Sequence, residues 1–180
     1  SDVVLNIGSG SIKVKNAKGE KIAVIDSAGN LTSKIYGTTL TVTDSTESPV
    51  TVDSSIRTID ASKRTTAIKI TANSLANTIK GGSSVDTIYG GKGNDSILGN
   101  AGNDKLYGDA GADTLNGGKG NDTIYGCDGY ADVFQYSDGD GNDVIIGYND
   151  NDVIKILEDS SYSTTKSGND VIIKVGSGRM

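Results

Sequence analysis

Gly81-Gly82-Ser83-Ser84-Val85-Asp86-Thr87-Ile88-Tyr89 is followed directly by Gly90-Gly91-Lys92-Gly93-Asn94-Asp95-Ser96-Ile97-Leu98. Three more units of the same length open at Gly99, Gly108 and Gly117. The template is G-G-x-G-x-D-x-U-x, with U a large aliphatic residue. Aspartate holds the sixth place throughout, as Asp86, Asp95, Asp104, Asp113 and Asp122, and the eighth is Ile88, Ile97, Leu106, Leu115 and Ile124. Ile70 and Ile79 before the block and Val133 after it keep the same spacing. On a helix, nine residues advance about two and a half turns, so successive members would face opposite sides. The pattern therefore excludes an amphipathic helix.

The spacing has a direct structural reading. Six glycine-rich residues can take the positive φ angles of a tight turn and point main-chain carbonyls inward. The last three residues form a short strand whose middle side chain faces one way and its neighbours the other. Two nonapeptides then make one coil of turn, strand, opposite turn and opposite strand, and stacking buries U between two parallel sheets. The turns offer carbonyls and a carboxylate, the oxygen donors a calcium ion takes in a flexible shell. An ion fits between successive turns on the same edge.

The nonapeptide resembles the calcium-binding repeat of the repeats-in-toxin (RTX) family. The likeness is close over residues 81–132, looser over 72–80 and 138–152, and absent from 1–71. It implies an all-β fold, a right-handed parallel β-roll (β-solenoid) of about four to six coils with calcium-poor β caps. The implied metal residues are Asp86, Asp95, Asp104, Asp113, Asp122, Asp132 and Asp143, with the turn glycines Gly91, Gly93, Gly102, Gly111, Gly118 and Gly120. Several calcium ions are expected in two rows. One row joins the turns of Asp86, Asp104 and Asp122, and the other those of Asp95, Asp113 and Asp132. Weaker sites are expected at Asn77, which brings no charge, and at Asp143.

Departures from the template are few. Ser84 stands where other units have a fourth-place glycine, which makes the Asp86 turn the least regular. Asn100, Asp109 and Cys127 replace the second glycine, with some strain expected in each turn. The fifth place, where Ala112 sits, is read as free. The third place carries no threonine ladder, which disfavours ice binding.

Composition supports a thin solenoid. The 180 residues include 25 Gly, 1 Phe and no Trp, too few large side chains for a thick core. The net charge of −6 is uneven. Residues 81–152 hold 13 Asp and 3 Lys, whereas residues 1–80 carry 10 basic and 7 acidic side chains. The acid is concentrated where calcium is expected, and without cation it opposes compaction. No basic patch suggests nucleic acid as a partner. The absence of histidine removes Ser-His-Asp and Cys-His catalysis. The carboxylates recur evenly, so none stands out as a glycosidase acid, and the expectation is that the chain is not an enzyme. Cys127 is read as a surface turn residue, with an intermolecular disulfide as the alternative. No stretch is apolar enough to span a membrane as a helix.

In chain order, residues 1–39 read as N-terminal strands, with two antiparallel hairpin arms within 1–26. Residues 40–80 read as irregular coils that cap the stack without calcium; Val50, Ile59 and Ile68 lie nine apart but out of phase with the later series. Residues 81–157 are the calcium-binding β-roll. After residue 157 a loop over 158–168 precedes a closing strand over 169–175, the last segment being 158–180. Asp2–Gly10 also matches Asp170–Gly178 at an offset of 168. This similarity predicts a fragment of a tandem array, with neighbouring modules of the same parent as partners. The family likeness further implies extracellular localisation, type 1 secretion, and folding on external calcium. The alternatives are a calcium-stiffened structural or adhesive spacer, or an accessory domain of a secreted hydrolase.

Overall fold

A computed structural model describes residues 3–7, 10–14, 21–25, 31–36, 38–127, 129–157, 162–167 and 170–175. Every regular element among them is a strand. In order these are β1 (Val3–Ile7), β2 (Gly10–Val14), β3 (Lys21–Ile25), β4 (Leu31–Tyr36), β5 (Thr39–Val42), β6 (Val50–Thr51) and β7 (Thr58–Asp60). Next come β8 (Lys69–Thr71), β9 (Thr78–Lys80), β10 (Thr87–Tyr89), β11 (Ser96–Ala101), β12 (Lys105–Tyr107) and β13 (Thr114–Lys119). The chain closes with β14 (Thr123–Tyr125), β15 (Val133–Tyr136), β16 (Asn142–Ile146), β17 (Val153–Ile156), β18 (Tyr162–Ser167) and β19 (Asp170–Val175).

From β5 to β17 successive strands alternate between two parallel sheets. The odd-numbered strands stack in the order β5-β7-β9-β11-β13-β15-β17 and the even ones in the order β6-β8-β10-β12-β14-β16. The result is a β-solenoid of about six turns, as the repeat spacing predicts. A three-residue strand buries only its middle side chain, and the stack turns this into continuous columns. One column runs Val50, Ile70, Ile88, Leu106, Ile124 and Ile145. The other runs Leu40, Ile59, Ile79, Ile97, Leu115, Phe134 and Ile154. All but Ile154 are buried. Burying a side chain of this size contributes roughly 1.5–3 kcal/mol, so each coil adds two such increments. On the outer face, Tyr89, Tyr107 and Tyr125 stack with ring centroids 4.5 and 4.4 Å apart.

Antiparallel strands cover one end of each sheet. β4 pairs antiparallel with β5 and carries β3, while β19 pairs antiparallel with β16 and carries β18. β1 and β2 form a separate hairpin.

Several expectations need correction. Within residues 1–26 there is one hairpin, β1–β2; β3 finds its partner in β4, beyond that range. β4 itself has no glycine repeat or clean alternation to mark it. Residues 162–167 form β18 rather than a loop, since Tyr162-Ser163-Thr164-Thr165 has a strand composition and β19 offers an open edge. Residues 158–161, 168 and 169 lie outside the described residues. The series Val50, Ile59, Ile68 is not one register. Val50 faces Ile70 and Ile59 faces Ile79, so these coils are 20 residues long, and Ile68 is buried in a turn. Strand columns impose register across the sheet, and longer turns absorb the extra residues.

Candidate metal centre

Each turn is built from glycines required for two different reasons. At the first place the need is space. A Cβ on Gly99 would sit 2.5 Å from Asp104 Oδ2 and 2.4 Å from Gly117 O, because the aspartate folds back over its own turn and the next coil presses from above. At the second and fourth places the need is also conformational. All six glycines expected to line the sites have positive φ: Gly91, Gly93, Gly102, Gly111, Gly118 and Gly120, from 89° to 143°. The three residues that replace a second-place glycine keep this conformation, with φ of 77° at Asn100, 66° at Asp109 and 84° at Cys127. Asn100 recovers some of the strain by donating Nδ2–H to Gly81 O at 2.6 Å. Cys127 is exposed and takes part in no disulfide among the described residues.

The sixth-place aspartates stand in two rows. In one, Ile68 N–H donates to Asp86 Oδ1, Asp86 N–H to Asp104, Asp104 N–H to Asp122, and Asp122 N–H to Asp143, over 2.7–2.9 Å. In the other, Asn77 N–H donates to Asp95 Oδ1, Asp95 N–H to Asp113, Asp113 N–H to Asp132, and Asp132 N–H to Asp152, again over 2.7–2.9 Å. The structure thus brings together the predicted groupings and adds Asp152 to the second. That aspartate lies nine residues after Asp143, so its spacing was already a signal. Asn77 takes the aspartate place as expected. The fifth place, read as free, is used: Asn94 Oδ1 accepts from Ala112 N–H, Asn103 from Asn121 N–H, and Asn121 from Asn142 N–H. These bonds reach the next coil, so no local pattern reveals them.

With Oδ1 occupied by the neighbouring coil, Oδ2 is the oxygen available for a ligand. Oδ2 of Asp95, Asp104 and Asp122 is buried with no hydrogen-bond donor among the described residues, as is Oδ1 of Asn77. A buried carboxylate in this state is costly unless a cation joins it. Burial accordingly pushes Asp95 and Asp104 up to about 7 and Asp122 to about 6. Asp143 rises to about 8, again chiefly through burial, with the Tyr136 hydroxyl pulling slightly the other way. Asp86 is raised by burial too, but its Oδ2 accepts from Gly82 N–H at 2.7 Å and Arg64 lies nearby.

Among the described residues, no three or more His, Cys, Asp or Glu side chains cluster as a metal centre. Each turn offers its sixth-place carboxylate amid glycine-rich main chain, a donor set suited to a hard, oxygen-seeking cation. The sixth-place carboxylates and the glycine-rich main chain would hold calcium, which would supply positive charge to the buried Oδ2 atoms.

No helix of the described residues is long and apolar enough to cross a membrane. No curated protein and no solved structure matches the chain significantly. Residues 71–106, 98–129 and 136–155 match the RTX calcium-binding nonapeptide repeat, in four copies. Together with the columns, turns and buried carboxylates, this match makes residues 71–129 and 136–155 a block of RTX calcium-binding nonapeptide repeats.

Proposed function

We propose that this chain is a module that folds when it meets extracellular calcium, as part of a larger secreted protein. The observation that carries the reading is the set of buried Oδ2 atoms on Asp95, Asp104 and Asp122 that meet no donor among the described residues. A roll with these carboxylates charged and uncompensated is unfavourable, so folding and metal binding are linked. Asp113, Asp132 and Asp143 stand in the same two rows and complete the ligand set, with the carbonyls around Gly91, Gly93, Gly102, Gly111, Gly118 and Gly120. Extracellular modules typically bind calcium with a dissociation constant on the order of 10⁻⁴–10⁻³ M, far above cytosolic levels. A chain with such sites stays unfolded for export through a type 1 route and folds outside. Neighbouring modules of the parent protein are its expected contacts, and the repeats carry no catalytic role in this reading.

Calcium titration of chelated protein, followed by circular dichroism, tests the proposal. A cooperative gain of β-signal near millimolar calcium is expected; a β-signal that is complete in chelator and unmoved by calcium rejects it. That second result is what a pre-folded structural or adhesive spacer would give. The spacer reading draws on coils 39–80, where the side chains of Arg64, Asn73 and Asn77 meet the turn carbonyls.

A further inference from the structure

We propose that Arg64 is a built-in cation that takes the place of calcium between the first two turns of the Asp86 edge. The inference rests on the calcium reading and concerns where that row begins.

Register places Arg64 in a turn equivalent to the calcium turns. Ser83 N–H donates to Arg64 O at 2.9 Å, and Gly82 lies directly over that carbonyl. Ile68 N–H donates to Asp86 Oδ1, and Thr87 N–H donates to Ile68 O. Residues 63–68 therefore occupy the six turn places, with Arg64 second and Ile68 sixth. The aspartate of the template has become a buried isoleucine, 3% exposed. The positive charge has moved the other way. Arg64 is 5% exposed, and among the described residues its guanidinium donates to main-chain oxygens. Nη1–H donates to Thr43 O and, at 2.8 Å, to Thr46 O of the turn below. Nε–H donates to Thr66 O at 2.8 Å and Nη2–H to Ala67 O at 3.3 Å within its own turn.

A tethered cation thus gathers carbonyls from two successive turns on one edge, the same task the sequence assigns to calcium in later coils. It also serves the turn above. Asp86 carries the next carboxylate in the row, and Arg64 supplies positive charge toward it. Both Asp86 oxygens already accept main-chain N–H groups, from Ile68 and Gly82. The opposite edge begins differently, with neutral amides. Asn73 Nδ2–H donates to Asp53 O and Ile56 O, and Asn77 Nδ2–H to Ile56 O. The guanidinium is always charged and its planar fork suits several acceptors at once, so this seat persists in the absence of metal and gives the calcium coils a formed edge to stack on.

The test is calcium titration of the full chain by calorimetry and circular dichroism, comparing wild type with Arg64→Met, Arg64→Lys and the triple variant Arg64→Gly/Thr66→Gly/Ile68→Asp. Arg64→Met leaves the main-chain carbonyls of two turns without the donors that gather them, so it is expected to raise the calcium midpoint about tenfold. Arg64→Lys should recover part of that shift, because it keeps the charge but not the planar fork. The triple variant rewrites the turn toward the calcium template and should bind an additional ion relative to wild type. An Arg64→Met midpoint within about twofold of wild type overturns the proposal, as does an Arg64→Lys protein no better than Arg64→Met. If Arg64→Met does not fold at any calcium level, Arg64→Lys decides by the same criterion. A triple variant without the extra ion also counts against it. A wild type that binds no calcium removes the underlying reading instead.

Discussion

Asp86 N–H donates to Asp104 Oδ1 across 2.7 Å, tying together two turns eighteen residues apart. The same carboxylate presents Oδ2, buried and without a donor among the described residues, to its own turn. One oxygen of this side chain therefore serves the stack, and the other is the one proposed to meet the metal.

Replacing Asp104 separates these roles. Asp104→Asn keeps an acceptor for Asp86 N–H but loses the charge, so it should weaken calcium binding at the two sites that share its turn. Asp104→Ala additionally leaves a buried N–H unsatisfied, which costs about 1–3 kcal/mol more. Calorimetric calcium titration and chemical unfolding in saturating calcium read the two effects. Asp26→Ala, outside the repeats, should change neither. Equal behaviour of Asn and Ala at position 104 in unfolding would contradict the dual role.

The raised carboxylates set a pH dependence with a definite sign. Without metal, folded Asp95 and Asp104 titrate near 7 and Asp122 near 6, against an ordinary value of 3.8. The folded state then holds more protons than the unfolded chain between these values. The contribution of these carboxylates to metal-free stability is full below about pH 4 and is lost as pH rises through 6–7. Calcium competes with those protons, so its apparent affinity should fall on going from about pH 8 to about pH 5.5. Titrations at the two pH values check this, together with circular dichroism of chelated protein. Tighter binding at the lower pH would be the wrong sign.

Turn geometry makes opposite predictions for two substitutions. A Cβ at Gly120 would stand 1.7 Å from Gly102 O, at a φ of 143°. Gly120→Ala should cost roughly 2–4 kcal/mol. Cys127 already bears a Cβ at a φ of 84°, so Cys127→Gly should stabilise by about 0.5–1 kcal/mol. Thermal melts in saturating calcium provide the comparison, and a destabilised Cys127→Gly protein would show that its turn is not strained.

Tyr107 lies between two stacked rings on the outer face. Each such pair contributes about 0.5–1.5 kcal/mol, so Tyr107→Ser should cost about 1–3 kcal/mol while leaving the number of bound ions unchanged. A lost ion would mean that the outer face and the turn edges are coupled more tightly than the geometry indicates.

Much of this molecule could be read from spacing. A nine-residue interval carries a turn and a strand within one local segment, so Ile88, Ile97, Leu106 and Leu115 announced both the coil and its core. Asp86 to Asp132 announced the turn edges for the same reason: glycine content and carboxylate place are local properties. The reading weakened where coil length changed. Val50 and Ile59 sit in the predicted columns only because 20-residue coils restore the register, and Ile68 falls in a turn. Residues 162–167 looked like a loop because β18 needs β19 as its partner.

The sequence by itself determined the repeat, the two-sheet solenoid and the acidic row members from Asp86 to Asp143, since each is encoded within a few adjacent residues. Only the tertiary structure decided which oxygen of each aspartate is used by the stack, what the fifth-place asparagines hold, and how the first turn is closed. Those depend on residues a coil or more apart: Asp104 on Asp86, Asn103 on Asn121, and Arg64 on Thr43 and Thr46. A lone arginine in a polar stretch carries no sign of its partners, because its acceptors are main-chain carbonyls and every residue has one.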